Sequence, residues 1–239
     1  MIPRAPIVHP DCADLLVLRG VRKAHLSGGR AELVLEDVSL DVGAGQTVAV
    51  VGGRWEGKTT LLNLAAGIDL AEEGQVLFEG IDLASCSRRS RRGLLGRQIV
   101  WLDRRDCGLG LKVLDYLGLP LMGWRGPRRR QTRRMAHEAL ERVGVPHVAH
   151  KRPQSLSNWE RVLVGLARAV IVRPKLLVVD DLLDALGTSR TLRAGDLLNS
   201  LARDIGFGAL FSVSDIEAAV MRARPRLVHS PGACHPPTG

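Results

Sequence analysis

An α/β fold built on a parallel sheet is what the sequence predicts, and three segments predict it. Val48-Ala49-Val50-Val51 is a short, largely β-branched run that leads into Gly52-x-x-x-x-Gly57-Lys58-Thr59 and the apolar helix start Leu61-Leu62. Leu176-Leu177-Val178-Val179 is apolar at every position, as a parallel strand buried between two layers must be, and Asp180-Asp181 stands at its carboxyl end. Ala209-Leu210-Phe211-Ser212-Val213 is a further strand. With 239 residues, 45% of them apolar, the chain suffices for one large α/β domain or one with a sizeable insertion. Aromatic content is only 3%, so the core must consist mainly of Leu, Val, Ile and Ala.

In chain order, residues 15–51 read as β-rich, with runs at 15–18, 33–35 and 38–42 parted by Gly and Ser clusters at 27–29 and 43–45. The helix after the glycine loop covers 61–67 and stops at Gly67. Gln75-Val76-Leu77-Phe78-Glu79 alternates between Gly74 and Gly80 and suits a half-buried strand. Residues 84–98 are rich in Arg and Ser, a solvated helix and loop. Helices are expected within 112–147, where Val113, Leu114 and Leu117 share one face and Met135, Ala139, Leu140 and Val143 another. Gly126-Pro127 breaks them apart and Gly144 ends the second. Ser157 and Glu160 form a capping box at the start of a helix whose stripe is Val162, Leu163, Leu166, Ala169 and Val170, and Pro174 ends it. A last helix is expected from about 216, and residues 225–239, rich in Pro and Gly, form a loose tail.

The net charge of +9 comes mostly from Arg; lysine occurs only at Lys23, Lys58, Lys112, Lys151 and Lys175. Arg125, Arg128, Arg129, Arg130, Arg133 and Arg134 form a basic cluster without interleaved aromatics, which reads as an exposed helix face, and no nucleic acid partner is expected. Cys12, Cys86, Cys107 and Cys234 include no Cys-x-x-Cys pair, which argues against a structural zinc site or disulfide framework and fits a reducing cytoplasm. No apolar run approaches the ~20 residues of a membrane span, so any membrane-spanning part must come from another chain.

The glycine loop carries the chemistry. Gly52 and Gly57 let the backbone turn so that successive N–H groups, those of Gly53, Arg54, Trp55, Glu56 and Thr60 among them, can face phosphate oxygens. The helix N-terminus adds partial positive charge. Lys58 supplies a point charge for the outer phosphates, and the Thr59 hydroxyl is placed to ligate Mg²⁺. Trp55 and Glu56 set an indole and a carboxylate where a polyphosphate must come close to backbone.

Strand, phosphate loop, helical middle region, Leu156-Ser157-x-x-Glu160, then an apolar strand ending in Asp180, in that order, resemble the ATP-binding subunit of ABC transporters over about residues 15–232. Leu119-Pro120-Leu121 and the 139–145 stretch Ala-Leu-Glu-Arg-Val-Gly-Val are similar to the lipoprotein-release and macrolide-export branch. The resemblance implies a P-loop NTPase core with an antiparallel β subdomain and an inserted helical subdomain at about 96–155, all within one domain of 1–239. It implies ATP and Mg²⁺ as ligands, with Asp180 on the metal, and two subunits that sandwich ATP head-to-tail, each phosphate loop facing the other's signature motif.

Departures from the family pattern concentrate in the same places. Arg54 and Trp55 replace a small residue and a glycine, and Asn158 and Trp159 replace the two glycines between Ser157 and Glu160. Asp181 stands for the catalytic glutamate, one methylene shorter and so a weak general base. Ser214 stands for the switch histidine, Gly187 for the aspartate after the Walker B strand, His25 for the adenine-stacking aromatic, and Leu102 or Asp103 for the glutamine that senses Mg²⁺ and water. The expectation is a subunit that binds ATP, sits at the cytoplasmic face of the membrane on a separate permease, hydrolyses poorly, and pairs with a second, better-equipped ATPase. A slow but active export or lipoprotein-release ATPase and a non-transport pseudo-ATPase regulating a cell-envelope membrane protein are the alternatives.

Overall fold

A computed structural model describes residues 14–27, 30–104, 110–121, 128–214 and 226–229. Its elements are β1 (Asp14–Ser27), β2 (Arg30–Gly43), β3 (Thr47–Val51), α1 (Lys58–Ala65), β4 (Glu73–Phe78), β5 (Ile81–Asp82), α2 (Arg88–Leu94), β6 (Ile99–Leu102), α3 (Val113–Gly118), α4 (Arg129–Arg142), α5 (Asn158–Val172), β7 (Leu176–Val179), α6 (Thr188–Ile205), β8 (Gly208–Val213) and β9 (Arg226–His229). The strands make two sheets, an antiparallel one ordered β2-β1-β4-β5 and a parallel one ordered β6-β7-β8-β3-β9.

The parallel sheet is buried on both faces, and the period of two along its strands sorts the side chains. Val48, Val50, Leu176, Val178 and Leu210 join α1 and the antiparallel sheet in one apolar cluster. Ala49, Val51, Leu177, Val179, Phe211 and Val213 join the residues of α3 to α6 in the other. Burying a Leu or Val contributes about 1.5–3 kcal/mol. A one-residue slip of β7 would exchange its two faces between differently shaped clusters, so packing on both sides fixes its register. The carboxyl ends of β3, β7 and β8 therefore lie side by side, and the loops that leave them share one edge.

Helices α3, α4 and α5 pack together and form the helical part of the chain. Asp115 on α3 accepts three hydrogen bonds from the Arg133 guanidinium at 2.9, 3.1 and 3.2 Å, joining α3 to α4. Arg134 pairs with Glu138 one turn on at 3.2 Å, so part of the basic cluster is spent within the subunit. Arg125 lies outside the described residues.

The structure differs from the sequence reading at two boundaries. Residues 226–229, expected in a loose tail, pair in parallel with β3 and close the edge of the sheet. Residues 99–102, expected inside the helical insertion, form β6 and pair with β7; the helical group takes up α5 instead. The helix expected from about 216 falls outside the described residues.

Candidate functional site

The loop between β3 and α1 turns at Gly57, whose φ of 82° is left-handed and whose missing Cβ would lie 2.9 Å from Val34 Cγ1. Only glycine fits that backbone and that space. The turn brings the Lys58 side chain back over the loop, where it is 8% exposed and donates to the carbonyls of Gly52 and Gly53, both at 2.7 Å. Glu56 folds onto the same loop, its Oε2 accepting the Gly53 N–H at 2.7 Å.

Trp55 occupies a left-handed position (φ 73°), which costs an L-residue about 1–2 kcal/mol, and its indole is 88% exposed beneath the Arg54 guanidinium, 5.2 Å away. Trp159 behaves oppositely: it is half-buried and packs against the core on the α3–α6 side. The two indoles expected together at the nucleotide site thus differ, one tucked into local packing and one held out in solvent.

Behind the loop, Thr59 Oγ1 donates to Asp180 Oδ2 at 2.9 Å, and Ser212 Oγ donates to Asp180 Oδ1 at 3.0 Å. Ser212 also accepts the Asp181 N–H at 2.8 Å, so one buried hydroxyl on β8 sets both aspartates at the end of β7. Burial pushes the Asp180 carboxyl above its ordinary range; the Thr59 and Ser212 hydroxyls oppose this, and the Asp181 and Asp103 charges add to it. A hydroxyl and a carboxylate side by side are hard oxygen donors, and they fit Mg²⁺. Among the described residues no group of three or more His, Cys, Asp or Glu makes a ready-made cage. Mg²⁺ takes one or two protein oxygens and the rest from phosphate and water.

The remaining residues fall into three places. His25 reaches the start of α1, its Nε2 3.1 Å from Thr60 Oγ1. Leu102 is buried in the core, so of the two residues read at the glutamine position it is Asp103 that acts electrostatically on Asp180. Ser214 lies 3.5 Å from Lys58 Nζ but is clasped by Asp184, which accepts its hydroxyl at 2.6 Å and its N–H at 2.9 Å. Asp181, with left-handed φ of 53°, lines an open cleft of about 390 Å³ with Arg104, Asn158, Arg161, Leu182 and Ala185.

Ser157 and Glu160 lie at the N-terminus of α5. The expected capping box is present, with Glu160 N–H donating to Ser157 Oγ at 3.2 Å and Ser157 N–H to Glu160 Oε2 at 2.8 Å. Asn158 Nδ2 donates to the Ala185 carbonyl at 3.3 Å and ties this motif to the segment after β7. Glu160 also accepts from Lys151 at 2.8 Å and lies 3.2 Å from His147 Nε2. The Lys151 and Ser157 hydrogen bonds hold its carboxyl down at about 2. A carboxylate depressed on folding stabilises the protein above its unfolded pKa of about 4.5, and the effect is lost as pH falls towards 2. Glu160→Gln is therefore expected to lower unfolding stability by about 1 kcal/mol at neutral pH. In urea titrations the deficit should narrow between about pH 4.5 and 2; a gap that stays constant over that range would contradict the assignment.

Two site residues carry no expectation from sequence. Ser212 left a signal, a lone hydroxyl inside an otherwise apolar buried strand. Asp184 left none, since its role depends on Ser214 arriving from β8.

Comparison with known proteins gives one answer. The family model described as ABC transporter matches residues 35–183. The aliphatic sulfonates import ATP-binding protein SsuB 3 of Pseudomonas savastanoi pv. phaseolicola is 36% identical over 206 residues, covering 86% of this chain and 69% of that one. The lipoprotein-releasing system ATP-binding protein LolD of Cereibacter sphaeroides is 32% identical over 214 residues, covering 89% and 95%. The dimeric bacterial ABC transporter cassette MJ0796 superposes with a TM-score of 0.77 at 23% identity, over 90% of this chain and 94% of that one. The ADP- and phosphate-bound MJ0796 cassette superposes with a TM-score of 0.75 at 24% identity, over 85% and 90%.

Proposed function

The chain belongs to the ABC transporter ATP-binding family, and on that premise we propose that it is the nucleotide-binding subunit of a transporter, coupling ATP binding to a separate membrane permease while hydrolysing poorly. One observation carries this reading: Lys58, Thr59 and Asp180 are assembled behind the loop, while the groups that would orient an attacking water are replaced or diverted. The loop would hold the phosphates, and Thr59 and Asp180 would hold Mg²⁺, which when bound neutralises phosphate charge. Lys58 would exchange its two carbonyl partners for phosphate oxygens. Asp181 is the weak general-base candidate, and Ser214, engaged by Asp184, is inactive as a switch.

The subunit would act at the cytoplasmic face of the membrane. No helix among the described residues is long and apolar enough to cross a bilayer, so the reading requires a permease. The helical part, with the exposed arginines Arg129, Arg130, Arg133 and Arg134 of α4, is the proposed docking region. Relatives from sulfonate import and from lipoprotein release both support the transporter role. Slow ATPase action in an export or lipoprotein-release system is the second reading, favoured by Asp181, a carboxylate at the position of the base.

The exposed Trp55 favours pairing with a different ATPase over a homodimer closed on ATP. In the head-to-tail arrangement each loop faces the partner's signature, and an indole standing out from the loop fills the gap between them. The isolated chain is therefore expected to sediment as a monomer with a non-hydrolysable ATP analogue and Mg²⁺. Trp55→Gly removes both the indole and the cost of its left-handed backbone, and should promote nucleotide-dependent dimerisation. A stable symmetric dimer of the unaltered chain would overturn the pairing. Nucleotide-sensitive co-purification with the permease tests the wider function, and assembly indifferent to both ATP and Lys58→Ala would count against it.

A further inference from the structure

We infer that Glu56 is a built-in occupant of the phosphate cradle, an internal anion that any polyphosphate must displace. The inference rests on the nucleotide-binding reading and assigns the side chain a role opposite to that of a ligand-binding group. Its basis is the position of one carboxylate. Glu56 Oε2 accepts the Gly53 N–H at 2.7 Å. A Cβ built on Gly52 would lie 2.8 Å from Oε2, and one built on Gly53 would lie 3.0 Å from Oε1. The carboxylate thus lies across the two glycines, in space that exists because neither has a side chain.

Both glycines belong to the loop read as the anion-binding site, and Glu56 engages one of its backbone N–H groups. A carboxylate is a planar two-oxygen anion, and a hydrogen bond from a backbone N–H to an ionised acceptor is among the stronger kinds. Glu56 does there what a phosphate oxygen would do. Lys58 is correspondingly turned onto the loop carbonyls of Gly52 and Gly53. The loop is satisfied from within: one N–H by Glu56, two carbonyls by Lys58.

A polyphosphate entering this loop meets two costs. It must break the charge-assisted bond between Glu56 and Gly53, and it must then share the neighbourhood with a displaced negative charge. Both vanish when the side chain is shortened to Ala. With Gln the charge goes and the shape stays. Neither cost acts on the nucleoside, so the effect is confined to the phosphate part of the ligand.

The test titrates inorganic tripolyphosphate, Mg-ATP and adenosine against the full chain and the variants Glu56→Gln, Glu56→Ala and Lys58→Ala. Circular dichroism confirms the fold of each. Both Glu56 variants should bind tripolyphosphate and Mg-ATP about tenfold or more tighter than the unaltered chain, with adenosine unchanged. If neither Glu56 variant gains affinity while Lys58→Ala loses it, the Glu56 assignment falls and nucleotide binding stands. If the unaltered chain and Lys58→Ala bind Mg-ATP equally, the nucleotide reading falls and this inference with it. An equal gain for adenosine would also overturn it, because the effect would then lie outside the cradle.

Discussion

Lys58→Ala is expected to weaken Mg-ATP binding by about 100-fold or more, the loss of a charged hydrogen-bonding partner for the outer phosphates inside a partly desolvated loop. The Lys58 ammonium is buried and makes two 2.7 Å bonds to Gly52 and Gly53 carbonyls that a phosphate can replace. No other lysine lies in this loop, and the Arg54 guanidinium is turned to Trp55. Removing Lys58 therefore leaves, among the described residues of this loop, only Arg54, which is stacked on Trp55. Titration calorimetry measures the loss directly, and the exposed Trp55 on the same loop gives a fluorescence signal for it. The variant should fold, because water can enter the space the lysine stem leaves and hydrogen-bond the Gly52 and Gly53 carbonyls. Equal affinity in both proteins would mean that the loop no longer serves phosphate.

The phosphate loop, β7 and β8 were legible because each announces itself locally. A run of four apolar residues between Pro174 and Asp180 reads as a strand covered on both sides, and Gly57 before Lys58 reads as a tight turn into a helix. The capping box of α5 was legible for the same reason: Ser157 and Glu160 satisfy each other within one turn. The edge strands were harder. β6 and β9 have four residues each, and each is a strand only because a neighbour offers a free edge, β7 for one and β3 for the other. Pro and Gly around 230 argued for a loose tail, and pairing with β3 overrides that argument within 226–229.

Site residues divide along the same line. Lys58, Thr59 and Asp180 follow from spacing along the chain, and the fold brings Thr59 to Asp180 across 121 positions. The Asp184–Ser214 clasp joins positions 30 apart that have no pattern in common. Trp55 and Trp159 look alike in sequence, yet one is held in solvent by a left-handed backbone and the other rests on the core. Whether a substituted site residue blocks, fills or merely packs depends on its backbone angles, and composition says nothing about those.

The second large effect concerns turnover. The purified chain is expected to hydrolyse ATP about 10²–10⁴-fold more slowly than a typical enzyme turnover of ~10 s⁻¹. Orienting a water against phosphate needs a base within hydrogen-bond reach and a second group to hold the geometry. Asp181 is the proposed base, and its backbone is fixed by the bond from its N–H to Ser212, so the shorter side chain cannot recover its missing reach by a shift of the strand end. Ser214 cannot supply the second group, because its hydroxyl and its N–H are both committed to Asp184. Leu102 is buried and carries no polar atom, and Asp103 brings negative charge towards Asp180. Asp181→Glu restores the methylene and should raise turnover, whereas Asp181→Asn should remove most of what remains. Steady-state phosphate release measures all three proteins. Turnover near 10 s⁻¹ for the unaltered chain would defeat the argument, and an unchanged rate in Asp181→Asn would place the base elsewhere. Ser214→Ala adds a control with a distinct outcome: it frees Asp184 but supplies no imidazole, so it should leave the low rate low.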